Sequence, residues 1–287
     1  IAHALRAAGS RADIRVLERD EAMVARVTAA GLPVDRVSCD PAVMKVADLV
    51  ILAVPMGAYG DVGRALAGQL KAGAIVTDVG STKRHAIAAL APHLPEGTVF
   101  VPGHPVAGTE HSGPEAGFAD LFAGRWTILT PPAVTPREAV EKVAAFWRAL
   151  GAKVEEMTPD HHDRVMAVVS HIPHLIAYTI VGTASDMEGD DVSRREVMKY
   201  AAGGFRDFTR IAASDPVMWR DIFLANHDAV ADVLARLKAD LARLEQAMAE
   251  GDGRMLEEWF TRTRAIRRGV LAEEPMPSGG ANEDGPP

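Results

Sequence analysis

What most constrains this chain is a rhythm. From Asp13 to Glu156, short apolar runs alternate with stretches of helical periodicity. The strand-like runs are 13–18, 48–54, 73–78, 98–101, 126–130 and 153–156; helix-like stretches at about 20–30, 41–47, 59–70, 83–93 and 136–150 separate them. Parallel strands need a crossover between them, usually helical, so the alternation predicts an α/β doubly wound sheet of Rossmann type. In such sheets ligands collect beyond the carboxyl ends of the strands. The residues that follow each strand are therefore where chemistry is to be sought.

Ile1–Gly9 resembles the last turns of a helix ending at a glycine. The next strand, Asp13-Ile14-Arg15-Val16-Leu17-Glu18, ends in an acid, and an acid there takes the ribose hydroxyls of NAD in a dinucleotide-binding βαβ unit. A solvated Glu at a strand end is the plainer reading of that one residue. Arg19 keeps NADP open, because a guanidinium could hold a 2′-phosphate. A glycine-rich phosphate loop would open the helix seen at residue 1, so the expectation is that the first strand and that loop precede Ile1.

The strand Thr98–Val101 runs into a loop punctuated by Gly103, Gly108, Gly113 and Gly117, in which regular structure is not expected to persist. His104 lies three residues past that strand and is the candidate catalytic base. A histidine that merely hydrogen-bonds within a turn is the competing reading.

Composition changes at Thr158-Pro159-Asp160, an N-cap followed by a proline at the first helical position, and only helical signals follow. The division expected is a nucleotide-binding domain at 1–157, a helical substrate and dimerisation domain at 158–272, and a disordered acidic, Pro/Gly-rich tail at 273–287. Val165 to Ser185 lacks any Asp, Glu, Lys or Arg, but its Ser, His and Pro residues suit a helix buried in protein better than a membrane span. Val230, Leu234, Leu237, Leu241, Leu244 and Met248 form a seam with coiled-coil spacing. These apolar faces predict a homodimer. A formal net charge of −8 with no basic block argues against nucleic acid, and one cysteine, Cys39, suits a reducing cytoplasm.

Four segments carry a resemblance. Asp78-Val79-Gly80-Ser81-Thr82-Lys83, Gly103-His104-Pro105-Val106-Ala107-Gly108-Thr109-Glu110, Ser170-His171-Ile172-Pro173-His174 and Gly203-Gly204-Phe205-Arg206-Asp207-Phe208-Thr209-Arg210 together resemble the prephenate/arogenate (cyclohexadienyl) dehydrogenases of tyrosine biosynthesis. The resemblance implies NAD- or NADP-dependent oxidative decarboxylation of a cyclohexadiene bearing a ring hydroxyl and a ring carboxylate. It implies His104 as catalytic histidine, with Ser81 hydrogen-bonding the same hydroxyl and the histidine. Arg210 would bind a substrate carboxylate, with Asp207, His171, His174, Trp219, Thr109 and Glu110 also at the substrate. Glu18, Arg19, Val54, Pro55, Asp78 and Gly80 would meet the cofactor.

Residue chemistry fits these roles. A neutral imidazole can take the proton that the ring hydroxyl sheds, and a guanidinium fork suits a carboxylate. For Arg210 the bland alternative is a helix-surface ion pair with Asp207. His171 and His174 share a helix face, but no third ligand accompanies them and no metal is expected. Two other readings are a β-hydroxyacid dehydrogenase, which uses a lysine of its helical domain, and a non-catalytic dimeric scaffold without a nucleotide loop.

Overall fold

The computed structural model describes residues 1–108, 113–186 and 199–273, the last four of these by backbone only. Thr109 and Glu110, and all of the 273–287 tail but its first residue, lie outside the described residues. Contacts divide the chain into two compact units, Ile1–Val233 and Leu234–Pro287.

The first unit opens with α1 (Ala2–Ala7), β1 (Arg15–Leu17), α2 (Glu21–Ala29) and β2 (Arg36–Ser38). Then come β3 (Leu49–Leu52), α3 (Tyr59–Leu66), β4 (Ile75–Asp78), α4 (Lys83–Leu90) and β5 (Val99–Val101). β1 pairs with β2 in parallel, and β3, β4 and β5 form a second parallel sheet in that order. Alternate side chains of this sheet serve different cores, as a period of two requires. Val50, Leu52, Val76 and Phe100 pack with Tyr59, Leu66 and Leu90 of α3 and α4. Leu49, Ile75, Val99 and Val101 pack instead with Val140, Val143 and Trp147 of α5 (Arg137–Ala149). Burial on both faces explains why these strands read as unbroken apolar runs rather than alternating ones. It also makes the sheet doubly wound.

A third sheet departs from expectation. β6 (Gly103–Pro105) runs antiparallel to β7 (Trp126–Leu129), which pairs in parallel with β8 (Lys153–Glu156). The glycines and prolines around His104 were expected to prevent regular structure there. Proline lacks a donor but still accepts, and Thr130 N–H bonds the Pro102 carbonyl at 2.9 Å while Val106 N–H bonds the Trp126 carbonyl at 2.7 Å. His104 is thus held opposite Ile128 on a strand instead of hanging in a loop.

Thr158 caps α6 (Pro159–Met166), its hydroxyl accepting from His161 N–H. A single π-helical turn, Ala167–His171, joins α6 to α7 (Ile172–Asp186). The long apolar helix was expected to be buried, yet in the single chain Val168 and Val169 are 54% and 61% exposed. By length and composition Pro159–Asp186 could cross a membrane. After α8 (Gly203–Thr209), α9 (Pro216–Ala225) and α10 (His227–Glu250) read as one helix in sequence but break at Asn226, whose amide is used in the interior. α10 continues into the second unit, where Leu241 and Met248 of the heptad-like seam are exposed, and α11 (Gly253–Glu273) ends the described chain.

Candidate active site

β4 delivers Asp78, fully buried, to the carboxyl edge of the central sheet. Its carboxylate accepts from Tyr59 Oη (2.8 Å), Gly80 N–H (3.1 Å), Gly103 N–H (2.9 Å) and Lys83 Nζ (2.5 Å). Lys83, one of these four donors, is also its buried counter-ion. Asp78 was expected at the cofactor, but it faces inward and ties the β4–α4 turn to the strand carrying His104. Gly80 is packed inside as well: a Cβ there would lie 2.4 Å from Tyr59 Oη and 2.5 Å from Met56 Sδ, so a side chain would displace Tyr59 and Met56.

Lys83 ends the Asp78–Lys83 segment, and the sequence alone gives it no role. Its ammonium is completely buried, and besides Asp78 it donates to the Gly103 carbonyl. Burial lowers its pKa, while Asp78 and Asp163 oppose that shift.

His104 is 8% exposed. Its Nδ1 is 2.8 Å from His162 Nε2, and the rings meet edge to face. His162 Nδ1 in turn is 2.8 Å from Asp163 Oδ1, and the Asp163 carboxylate also accepts the backbone N–H groups of Lys83 (2.7 Å) and Arg84 (3.0 Å). Among the described residues, no hydrogen bond joins Ser81 to His104, and His104 Nε2 makes none. Burial chiefly, then the neighbouring His162, Lys83 and His171, push the His104 pKa well below the ordinary histidine value.

Helix α7 and the turn before it complete the wall. His171 is buried, with Nδ1 3.1 Å from Asn226 Nδ2, and burial lowers its pKa to about 4. His171 Nε2 is buried without a hydrogen-bond partner among the described residues. His174 stacks on Trp219 of α9 at 3.7 Å between ring centroids, with its Nδ1 against the Ser170 carbonyl. Arg210 is exposed at the turn after α8, near enough to His174 for its charge to depress that imidazole's pKa, although burial is the larger cause. Asp207, one turn earlier, is also exposed.

The remaining cofactor candidates follow the carboxyl ends of parallel strands. Glu18 follows β1 and is half-buried; Val54 and Pro55 follow β3. The Arg19 guanidinium is 3.1 Å from Asp20, whose side chain also caps α2. Acceptor, apolar and turn residues at successive strand ends suit a dinucleotide. Sequence reasoning missed His162, Asp163, Asn226 and the role of Lys83. His162-Asp163 lies within the helix that the recognised Thr158 N-cap opens, but only proximity to His104 in space reveals its use.

The comparisons agree with this architecture. Residues 1–156 match the family model described as prephenate dehydrogenase, nucleotide-binding domain, and residues 158–262 match prephenate dehydrogenase, dimerization domain. The chain is 46% identical over 221 residues to a cyclohexadienyl dehydrogenase of Zymomonas mobilis, covering 77% of this chain and 74% of that protein. It is 37% identical over 196 residues to a prephenate dehydrogenase of Bacillus subtilis, covering 68% of this chain but only 52% of that protein. A crystal structure of prephenate dehydrogenase from Aquifex aeolicus, in complex with hydroxyphenyl propionate and NAD+, superposes with a TM-score of 0.85 at 34% identity, covering 94% of this chain and 93% of that one. A nucleotide-binding layer followed by a helical part therefore matches the two family models in order over most of the chain, and the chain belongs to the prephenate dehydrogenase family.

Proposed function

We propose that this protein catalyses the NAD-dependent oxidative decarboxylation of prephenate, arogenate or both, in tyrosine biosynthesis, in a reducing cytoplasm. The observation that carries the reading is His104: a buried imidazole kept neutral by that burial, its Nε2 without a hydrogen bond among the described residues, held where the strands of a nucleotide-binding sheet end. NAD, when bound, supplies the hydride acceptor. The chain's own groups do the rest. His104 takes the proton from the ring hydroxyl as the carbon bearing it gives up hydride, so that a carbonyl forms without a charged intermediate. The ring carboxylate then leaves as carbon dioxide, its bonding electrons pass through the ring to the carbonyl oxygen, and that oxygen takes back the proton from His104 to give the aromatic phenol. His171 Nε2 is an open polar position in the same wall, suited to a substrate oxygen. Ser81, half-buried in the β4–α4 turn, would meet the reacting hydroxyl rather than the histidine. Trp219 and His174 offer a flat apolar face for the ring. Glu18 would hold the ribose hydroxyls and Val54 and Pro55 the walls of the cofactor.

Arg210, with Asp207 beside it, would take a substrate carboxylate at the mouth, Thr109 and Glu110 following on the His104 segment. A carboxylate contact exists before and during hydride transfer, so it lowers ground and transition states together. Arg210→Ala should raise KM far more than it lowers kcat, with a loss of about 2–4 kcal/mol if the pair is desolvated on binding. Steady-state kinetics with prephenate and with arogenate test this. An unchanged KM for both substrates would remove Arg210 from the site, and no turnover of either by the wild type would overturn the activity itself.

Homodimerisation through the helical domain is supported by the match to a family dimerization domain and by the exposed Val168, Val169, Ile180 and Val181 on the π turn and α7. Light scattering should give twice the chain mass at micromolar concentration. A monomer there would refute it.

A further inference from the structure

The hydrogen-bond chain behind His104 can be followed proton by proton. Asp163 receives only donors: the N–H groups of Lys83 and Arg84 at the start of α4, and His162 Nδ1. Burial works to raise its pKa, yet the His162 and backbone hydrogen bonds outweigh that and hold it below the usual carboxylate value. An ionised carboxylate at 2.8 Å requires the hydrogen of His162 on Nδ1. A neutral His162 then presents a lone pair at Nε2, and the 2.8 Å contact to His104 Nδ1 can form only if His104 carries its own hydrogen on Nδ1. His104 Nε2 is left bare.

Resting on His104 as the base, we propose that His162, fixed by Asp163, is a positioning residue that selects the His104 tautomer able to accept the substrate proton. An isolated imidazole prefers the other ring nitrogen modestly for its hydrogen, so without His162 much of the population would offer an N–H where a lone pair is needed. The acid and the middle histidine lie on α6, whereas the base lies on β6 and the two backbone donors open α4. The tautomer is thus set only when α6 is docked against the strand ends. Among the described residues, the charged or titratable groups that act on the pair are Asp78 and Lys83 from the β4–α4 turn, Asp163 from α6, and His171 from the π turn.

Nitrogen-15 NMR of histidine-labelled wild-type protein, with His104 assigned by comparison with His104→Asn, tests the tautomer without any turnover. A His104 with protonated Nδ1 and bare Nε2 is expected. A proton on Nε2 in the resting protein at neutral pH would overturn the proposal while leaving His104 free to be the base. In kinetics, His162→Ala and Asp163→Asn should each lower kcat by roughly ten- to a thousandfold with KM within about threefold, since binding groups are untouched. The acid limb of the kcat profile should move to higher pH in His162→Ala, because water reaching His104 relieves the desolvation. If His162→Ala does not fold, judged by circular dichroism, Asp163→Asn and the wild-type spectrum still decide. A folded variant with kcat within threefold of wild type, or one that loses kcat with an unmoved pH profile, would show that the pair acts only in packing.

Discussion

His104→Asn is expected to lower kcat by roughly two to four orders of magnitude, the range typical of a lost general base, while KM for substrate and cofactor stays within several-fold. Asparagine roughly preserves the volume and can keep a donor toward His162, so the loss would be chemical rather than architectural. The wild-type pH profile carries the sign. Burial pushes the His104 pKa well below 6.5, so the imidazole stays neutral and able to accept a proton through the ordinary histidine range. The acid-side fall of kcat/KM should accordingly lie below pH 6.5 and should be absent from the residual activity of the variant. Turnover within tenfold of wild type would remove His104 from proton transfer.

Lys83→Met should be the most destabilising single change in the nucleotide layer, by about 3–5 kcal/mol, because it strands the buried carboxylate of Asp78 without its counter-ion. Both groups are fully buried at 2.5 Å, so solvent cannot repair the loss. Methionine nearly preserves the volume, which isolates charge from cavity. Equilibrium urea unfolding would measure the change, and adding Asp78→Asn should recover part of it, because the neutral amide no longer requires a cation. A loss below about 1 kcal/mol, or a double variant no better than the single, would show that the pair does not anchor the turn. The same change should also slacken the Gly103 carbonyl, and with it the strand that aims His104.

Other lysines in the chain invite less. Lys71 pairs with Asp48 at the surface, where solvent screens the interaction and its loss would cost little. That contrast shows how burial, invisible in composition, sorts chemically identical residues into anchors and ornaments.

Periodicity was enough to read the parallel strands, the helices between them and the change of composition at Thr158, because those patterns are written locally in which residues need to leave water. Strand ends were legible for the same reason, and with them the neighbourhoods of Glu18, Pro55, Ser81 and His104. Motif chemistry supplied His104 and Arg210 as candidates. Tertiary structure decided what those neighbours do to one another. It turned Asp78 and Gly80 from cofactor candidates into the packed root of a turn, since a carboxylate with four protein donors has none left to seek. It made the glycine-rich stretch around His104 a strand, because β7 offered hydrogen-bond partners that only folding brings opposite. It broke the helix at Asn226, whose amide serves the Asp163 carbonyl and His171. And it gave the partner role behind His104 to His162, 58 residues away, where spacing along the chain carries no information about contact. A sequence specifies such encounters only through the whole fold, because long-range contacts depend on every crossover and packing angle between the two residues that meet.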